Sequence, residues 1–226
     1  MKKMTIKGAI FDMDGTLVNS LFYWEIFWKS LGKKYLGKEN FAASEDLDKK
    51  VRTMTLADAM VCIQEECGIS ASVEELLDFA YADFARFYRE DANVKEGAFE
   101  FLDYLKARGI PMCVASATDL KYVKIALEAH GLAPYFDFVI SCADIGIGKD
   151  QPDIYLLAKE KLGFEAKDLC VFEDSYVALE TAKKAGFQTV GIFDRYNFEQ
   201  ERLVAASDIY LGEHHTMEEL IGVVSK

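Results

Sequence analysis

Residues 9–17 read AIFDMDGTL, and this segment does most to decide how the chain folds. The pattern predicts an apolar strand that ends in two carboxylates, Asp12 and Asp14. Because side chains alternate along a strand, both carboxylates would project to the same side. They would repel each other unless a cation or a shared proton relieves the repulsion, and Gly15 would let the chain turn away tightly. An ordinary Asx turn explains the same residues without any function, so the segment alone leaves both interpretations open.

Similar apolar runs recur along the chain and alternate with helical patterns. The runs typical of buried strands are Thr5–Phe11, Pro111–Ala115, Phe138–Ser141, Leu169–Phe172, Gln188–Ile192 and Asp208–Leu211. The helical patterns between them are Ala98–Arg108, Leu120–His130, Asp153–Leu162 and Tyr176–Ala185. A glycine follows each helical pattern, where a left-handed C-cap is expected: Gly109, Gly131, Gly163 and Gly186. Strand–helix alternation predicts an α/β fold with a doubly wound parallel sheet.

One long stretch interrupts this alternation directly after the first strand. Between Ser20 and Asp91 the sequence shows only helical patterns, namely Leu21–Leu31, Glu45–Val51, Leu56–Cys67 and Val73–Tyr88. We therefore predict a discontinuous core of residues 1–18 and 92–226, with a small helical domain inserted at residues 19–91. Such an insertion would lie as a lid over the carboxyl end of the first strand, where open α/β sheets bind ligands.

Composition excludes several classes of function. The 226 residues carry 26 Lys and Arg against 38 Asp and Glu, a net charge of −12, which argues against a nucleic-acid partner. No run of about 18 uncharged apolar residues exists, so no membrane span is expected. The five cysteines are odd in number and never spaced C-x-x-C, which favours free thiols in a reducing cytoplasm. A monomer is the default expectation.

Three later features add to the aspartate pair. Ser116–Thr118 follows a predicted strand and would begin a helix, whose N-terminus is an anion site, although a plain N-cap explains the hydroxyls equally well. Lys149 lies in a loop, where most lysines are solvated surface charges. Glu173 and Asp174 end another predicted strand, where they could simply cap the next helix.

Together these features place carboxylates, a lysine and hydroxyls at the carboxyl ends of predicted strands. Hard oxygen ligands of this kind suit Mg²⁺ rather than zinc. Only three histidines are present, and His214 and His215 have no nearby cysteine to complete a zinc site. The sequence therefore predicts Mg²⁺ as the cofactor.

The set resembles the haloacid dehalogenase superfamily of phosphohydrolases, in particular the β-phosphoglucomutase-like and phosphatase branch with a helical cap. The resemblance covers the whole chain. Asp12–Thr16 is similar to the first family motif, Ser116 to the second, Lys149 to the third and Glu173–Asp174 to the fourth. It implies a Rossmann-like core and a Mg²⁺-dependent phosphatase that hydrolyses a small phosphorylated metabolite, a sugar phosphate or nucleotide-like monoester, through an aspartyl-phosphate.

The resemblance also implies a role for each matching residue. Asp12 would be the nucleophile, and Asp14 would protonate the leaving alcohol and then deprotonate water. The implied phosphate-binding residues are Thr16, Ser116, Ala117 and Lys149, and the implied metal ligands are Asp12, the backbone carbonyl of Asp14, Glu173 and Asp174.

Two alternatives stay open. Sugar phosphomutases of this family place a histidine on the first cap helix where Trp24 stands here, which favours hydrolysis over a mutase. The family motif Lys-Pro-x-Pro is replaced here by Lys149-Asp150-Gln151-Pro152, which keeps the lysine and changes the residue that follows it. A catalytically inactive binding protein of the same fold is the weakest hypothesis.

The start of the inserted helical segment is rich in aromatic residues. Trp24, Phe27, Trp28 and Leu31 share one helical face, which is either core or a surface that stacks on a substrate ring. Trp24 and Arg52 are the candidate substrate-binding residues of this segment.

Overall fold

A computed structural model describes residues 3–51, 54, 56–197 and 199–226 of the protein, and for Lys49 it describes the backbone alone. The strands are β1 (Met4–Thr5), β2 (Gly8–Phe11), β3 (Val18–Asn19), β4 (Asn93–Val94), β5 (Met112–Ser116), β6 (Phe138–Ser141), β7 (Leu169–Glu173), β8 (Gln188–Ile192), β9 (Ile209–Leu211) and β10 (Val224–Ser225). The α-helices are α1 (Tyr23–Leu31), α2 (Glu45–Val51), α3 (Leu56–Cys67), α4 (Val73–Glu90), α5 (Ala98–Ala107), α6 (Leu120–Ala129), α7 (Cys142–Ile145), α8 (Asp153–Leu162), α9 (Tyr176–Lys184) and α10 (Gln200–Ala206).

The central sheet is parallel and has the order β6-β5-β2-β7-β8-β9. The chain runs outward from β2 in one direction through β5 and β6, then returns to β7 and continues in the other. The order therefore reverses at β2, and in such sheets ligands bind outside the carboxyl ends of the strands at this point. The predicted α/β doubly wound fold is confirmed.

The register of the sheet determines which residues leave it side by side. Phe11, the last residue of β2, pairs with Val114 of β5 on one side and Phe172 of β7 on the other. The rings of Phe11 and Phe172 stack with their centres 4.4 Å apart, and Phe101 of α5 meets the Phe172 ring edge-on at 5.5 Å. This buried aromatic cluster fixes the end of β2 against β7, immediately before the residues at which both strands become acidic.

The prediction of one continuous first strand over Thr5–Phe11 is wrong. The structure divides it into β1, which pairs in parallel with β10, and β2, which belongs to the central sheet. Between them, Ile6 donates from its backbone N to the oxygen of Ser225, whereas Lys7 donates to Asp168. The backbone hydrogen bonds therefore change from Ser225 to Asp168 between Ile6 and Lys7. Ser225 lies near the other end of the sequence.

Most other predicted segments are found with ends shifted by no more than two residues. The predicted glycine caps are confirmed, since Gly109, Gly131, Gly163 and Gly186 have φ of 61°, 70°, 75° and 91°.

Contacts divide the chain into two compact units, Met1–Leu21 with Ala92–Lys226, and Phe22–Asp91. At the ends of the first unit's two segments, β3 and β4 form a small antiparallel pair in which Val18 faces Val94. The sequence predicts no strand at either position, because two-residue strands have no periodicity to detect.

The helical unit consists of α1 to α4 and a π-helical turn, Gly32–Leu36. Its longest helix, α4, begins with a capping box in which Ser72 and Glu75 bond each other's backbone N–H groups. Phe27, Trp28 and Leu31 of α1 are buried, so the interpretation of the aromatic face as core is confirmed for these three. No helix in the described part of the chain combines the length and apolarity that a membrane crossing requires.

Candidate active site

Three buried carboxyl groups meet at the carboxyl ends of β2 and β7. One oxygen from each of Asp12, Glu173 and Asp174 lies within 4.8 Å of the others, and their residues are 6 %, 2 % and 4 % exposed. The register explains this convergence, because Asp12 and Glu173 directly follow the paired residues Phe11 and Phe172. We call these three residues the acidic cluster.

Lys149 brings a positive charge to the acidic cluster. Its Nζ donates to Oδ1 of Asp12 and, over 2.8 Å, to Oε2 of Glu173, and its side chain is only 9 % exposed. Tyr155 of α8 also donates to Glu173 Oε2, at 3.3 Å. The departure of this loop from the family pattern therefore leaves the lysine next to the predicted nucleophile. The roles of Lys149 in catalysis and phosphate binding stay predictions.

The pKa values of Asp12, Asp174 and Lys149 are all shifted from their usual values. Burial, followed by repulsion from Glu173, raises the pKa of Asp12 well above its usual value, although Lys149 opposes this shift. Burial and Glu173 likewise raise the pKa of Asp174. Burial lowers the pKa of Lys149, but attraction to Asp12 and Glu173 outweighs burial, and the pKa rises well above its usual value. Lys149 is therefore cationic at neutral pH.

The donor set of the acidic cluster fits a divalent cation. Three carboxylates converge, and the Lys149 ammonium can neutralise only one of their charges. Burial, followed by repulsion from Glu173, raises the pKa values of both Asp12 and Asp174. Buried oxygen ligands with uncompensated negative charge are the environment that Mg²⁺ favours. The acidic cluster is the only group of this kind within the residues that the structure describes.

Asp14 is not one of the three residues of the acidic cluster, and its carboxylate accepts hydrogen bonds from two hydroxyl groups. Ser20 donates from Oγ to Asp14 Oδ1 at 2.6 Å, and Thr118 donates from Oγ1 to Oδ2 at 2.8 Å. Asp14 is half-buried, and the two hydroxyl groups orient its carboxylate. Its role in proton transfer stays a prediction. Metal binding through the Asp14 carbonyl stays a prediction.

Ser116 and Thr118 do not cap a helix, contrary to the plain N-cap interpretation. Ser116 is the last residue of β5, and α6 begins only at Leu120 with Asp119 as its N-cap. The buried Ser116 Oγ accepts from Thr118 N at 3.1 Å, which folds the intervening Ala117 outward to the surface. The predicted anion site is therefore a tight turn at the end of β5, not the first turn of a helix.

Thr16 and Gly15 contact Asp174 from the turn after β2. Thr16 is fully buried and donates from Oγ1 to Asp174 Oδ1 at 3.0 Å. Gly15 has φ of +80°, and a Cβ added to it would lie 2.6 Å from Asp174 Cγ. Thr16 is thus hydrogen-bonded to Asp174, a predicted metal ligand. The role of Thr16 in phosphate binding stays a prediction.

Two candidate substrate residues belong to the helical segment. Trp24 is half-buried, and its ring contacts those of Phe27 at 5.4 Å and Trp28 at 6.0 Å within the helical unit. A role in substrate binding stays a prediction for Trp24. Arg52 lies outside the described residues.

Sequence reasoning missed several residues that hold the site. Ser20 and Tyr155 were not singled out, and neither was Asn197, which donates from Nδ2 to Asp174. None of them belongs to a motif with a recognisable spacing. Only a three-dimensional contact with a carboxylate distinguishes them from ordinary polar residues.

Comparison with known proteins identifies the class of enzyme to which this fold and site belong. The family model described as haloacid dehalogenase-like hydrolase matches residues 6–186, and the chain belongs to this family. The chain is 28 % identical over 189 residues to a phosphorylated carbohydrates phosphatase of Thermotoga maritima, covering 82 % of this chain and 84 % of that protein. It is 30 % identical over 219 residues to a phosphoglycolate phosphatase of Shigella boydii serotype 4, covering 85 % and 83 %.

The fold is also similar to a solved structure. A crystal structure of a Thermotoga maritima protein, provisionally described as a β-phosphoglucomutase, has a TM-score of 0.82 and 26 % identity, covering 96 % of this chain and 98 % of that chain. The chain is thus an enzyme of this family that hydrolyses phosphate esters.

Proposed function

We propose that the protein is a Mg²⁺-dependent phosphatase that hydrolyses a small phosphorylated carbohydrate through a phosphoryl group carried on Asp12. The observation that carries the proposal is the contact of Asp12 with Lys149 beside Glu173 and Asp174. The similarity to a phosphorylated carbohydrates phosphatase supports a sugar phosphate over a nucleotide-like monoester.

In the first half-reaction, a carboxylate oxygen of Asp12 attacks phosphorus and forms an Asp12–phosphorus bond. The bond between phosphorus and the sugar oxygen breaks, and Asp14 gives its proton to that oxygen as the alcohol leaves. Asp14 suits this task because Ser20 and Thr118 hold its two oxygens in a fixed orientation two residues beyond the nucleophile.

In the second half-reaction, Asp14, now ionised, takes a proton from water. The water oxygen attacks phosphorus, the Asp12–phosphorus bond breaks, and inorganic phosphate leaves. Asp12 regains its carboxylate and Asp14 regains its proton, so both residues return to their starting forms.

Positive charge must accumulate where the phosphoryl group is transferred, because this reaction depends on positioning and electrostatics. Lys149 contributes one such charge at Asp12, and the Ser116 hydroxyl and Ala117 N–H at the end of β5 would bind phosphoryl oxygens. Mg²⁺ held by Asp12, Asp174 and Glu173, with the Asp14 carbonyl, would neutralise carboxylate and phosphoryl charge together.

The experiment measures phosphate release from a panel of sugar phosphates and p-nitrophenyl phosphate, with Mg²⁺ or with EDTA. EDTA should abolish turnover, and Asp12→Asn should lower kcat by at least about 10³-fold. Asp103→Asn, at an exposed carboxylate, is the matched control. Near-normal turnover of Asp12→Asn would contradict the proposal.

A second measurement tests the intermediate. With glycerol added, an Asp12-bound phosphoryl group partitions between water and glycerol in the same ratio for every substrate, because all substrates share one intermediate. A ratio that changes from substrate to substrate contradicts the aspartyl-phosphate.

A phosphomutase is the alternative activity, because the fold is similar to a Thermotoga maritima structure that is provisionally described as a β-phosphoglucomutase. It would convert a sugar 1-phosphate into its 6-phosphate with little release of inorganic phosphate. That outcome in the same assay would replace hydrolysis as the principal activity.

A further inference from the structure

The segment that follows β8 delivers an amide group to Asp174. Asn197 donates from Nδ2 to the backbone oxygen of Asp174 at 2.9 Å and to Oδ2 of its carboxylate. The other carboxylate oxygen, Oδ1, accepts from Thr16. Each oxygen thus receives one neutral donor, and each keeps acceptor capacity for a cation.

A buried ion pair fixes the start of this segment. Lys95, next to β4, donates from Nζ to Asp194 Oδ2 and to the backbone oxygen of Phe193, both at 2.9 Å. The two charged side chains are 14 % and 6 % exposed. Asp194 also accepts from Tyr196 N at 2.9 Å through Oδ1, so its carboxylate joins the turn to Lys95. Charge-assisted hydrogen bonds of this kind are strong, so they restrain the turn that they join to Lys95.

A second side chain fixes the end of the segment. Gln200 of α10 donates from Nε2 to the backbone oxygens of Asp194 at 2.9 Å and Asn197 at 3.2 Å. Tyr210 in turn donates from its hydroxyl group to Gln200 Oε1 at 3.2 Å. The backbone on both sides of the Asn197 amide is therefore held by side chains of its own unit.

We propose that Asn197 is a positioning residue for Asp174, and that the Lys95–Asp194 ion pair holds Asn197 in place. The inference rests on the Mg²⁺ site proposed above. The amide keeps the Asp174 carboxylate turned toward Asp12 and Glu173 before any cation binds, so binding need not order this ligand. Residues that orient metal ligands typically contribute about 10–100-fold to metal affinity.

The test measures Mn²⁺ binding by isothermal titration calorimetry, because Mn²⁺ also prefers oxygen ligands. Asn197→Ala removes both volume and amide, whereas Asn197→Leu keeps a similar volume and removes only the donor. Both variants should weaken Mn²⁺ binding by about 10–100-fold. Asn40→Ala, an exposed asparagine in the helical unit, is the matched control and should bind as the wild type does.

A purely space-filling role predicts a different result. Asn197→Leu would then bind Mn²⁺ like the wild type, and this outcome overturns the proposal. Kinetics give a second readout. In both variants the Mg²⁺ concentration for half-maximal rate should rise about as much as the dissociation constant for Mn²⁺. The value of kcat at saturating Mg²⁺ should change less. Thermal unfolding of the apo-proteins checks that each variant is folded.

Two further variants separate this inference from the proposed function. If Asp174→Asn binds Mn²⁺ as tightly as the wild type, the metal site itself is wrong. If Asp174→Asn loses Mn²⁺ binding and Asn197→Leu does not, only the role of Asn197 fails. Lys95→Met should weaken Mn²⁺ binding in the same direction as Asn197→Ala, and unchanged affinity would remove the ion pair from the proposal.

Discussion

Replacing Gly15 with alanine tests whether the turn after β2 determines the position of Asp174. Gly15 has φ of +80°, a conformation that costs a residue with a Cβ about 1–2 kcal/mol. The new Cβ would also lie 2.6 Å from Asp174 Cγ and 3.0 Å from Leu21 Cδ1, both closer than van der Waals contact. Relieving such overlap in a packed interior costs about another 1–3 kcal/mol.

We therefore expect Gly15→Ala to lower the free energy of unfolding by about 2–5 kcal/mol. Movement of the Asp174 carboxyl group away from residue 15 would relieve this overlap. A displacement of about 1 Å in a reacting site can cost about 10²-fold in rate, so kcat/KM should fall by about that factor. Urea unfolding followed by circular dichroism measures the first effect, and steady-state phosphate release measures the second.

Gly131 provides the matched control. Its φ of +70° is similar, but a Cβ added there meets nothing within 4 Å. Gly131→Ala should show the backbone cost alone, with kcat/KM within about twofold of the wild type. If the two alanine variants are equal in both stability and kcat/KM, the contact between Gly15 and Asp174 does not position the carboxylate and the reasoning is refuted.

Three more substitutions test separate parts of the structure. Lys149→Met should lower kcat by at least about 10²-fold, because the charge beside Asp12 is lost where phosphoryl transfer depends on electrostatics; a kcat within threefold of the wild type would contradict this. Thr118→Val, which is similar in size, removes the hydroxyl donor to Asp14 Oδ2 and should lower kcat about tenfold with little change in KM, as measured with p-nitrophenyl phosphate. Ser72→Ala breaks the capping box of α4 and should cost about 1 kcal/mol in urea unfolding while leaving kcat unchanged; an unchanged unfolding midpoint would show that this cap does not stabilise the helix.

The architecture of the core followed from the sequence to a large extent. Asp153–Leu162 and Phe138–Ser141 were predicted with the bounds that the structure shows, because apolar periodicity is a local property of the chain. The prediction of a single strand over Thr5–Phe11 was wrong because the pairing of its first residues is not a local property of the chain. β1 pairs with β10, and no local pattern at Met4 reveals a partner near residue 224.

The acidic residues of the candidate site were also visible in the sequence. Asp12, Glu173 and Asp174 each follow an apolar run, and parallel strands bring their carboxyl ends to one edge of a sheet. Their convergence with Lys149 is therefore a consequence of strand order together with the loop that precedes α8.

The sequence by itself determined the periodic elements, the α/β class and the chemical character of the strand ends, because these depend on neighbouring residues. Only the tertiary structure decided that Ser20 and Thr118 donate hydrogen bonds to Asp14. It also decided that Gly15 leaves room for the Asp174 carboxylate and that Asn197 donates a hydrogen bond to this carboxylate. Hydroxyl, amide and glycine residues are common in loops, and nothing in their local sequence records which distant atom they contact. That choice is made when packing brings separate loops to within a hydrogen bond of each other.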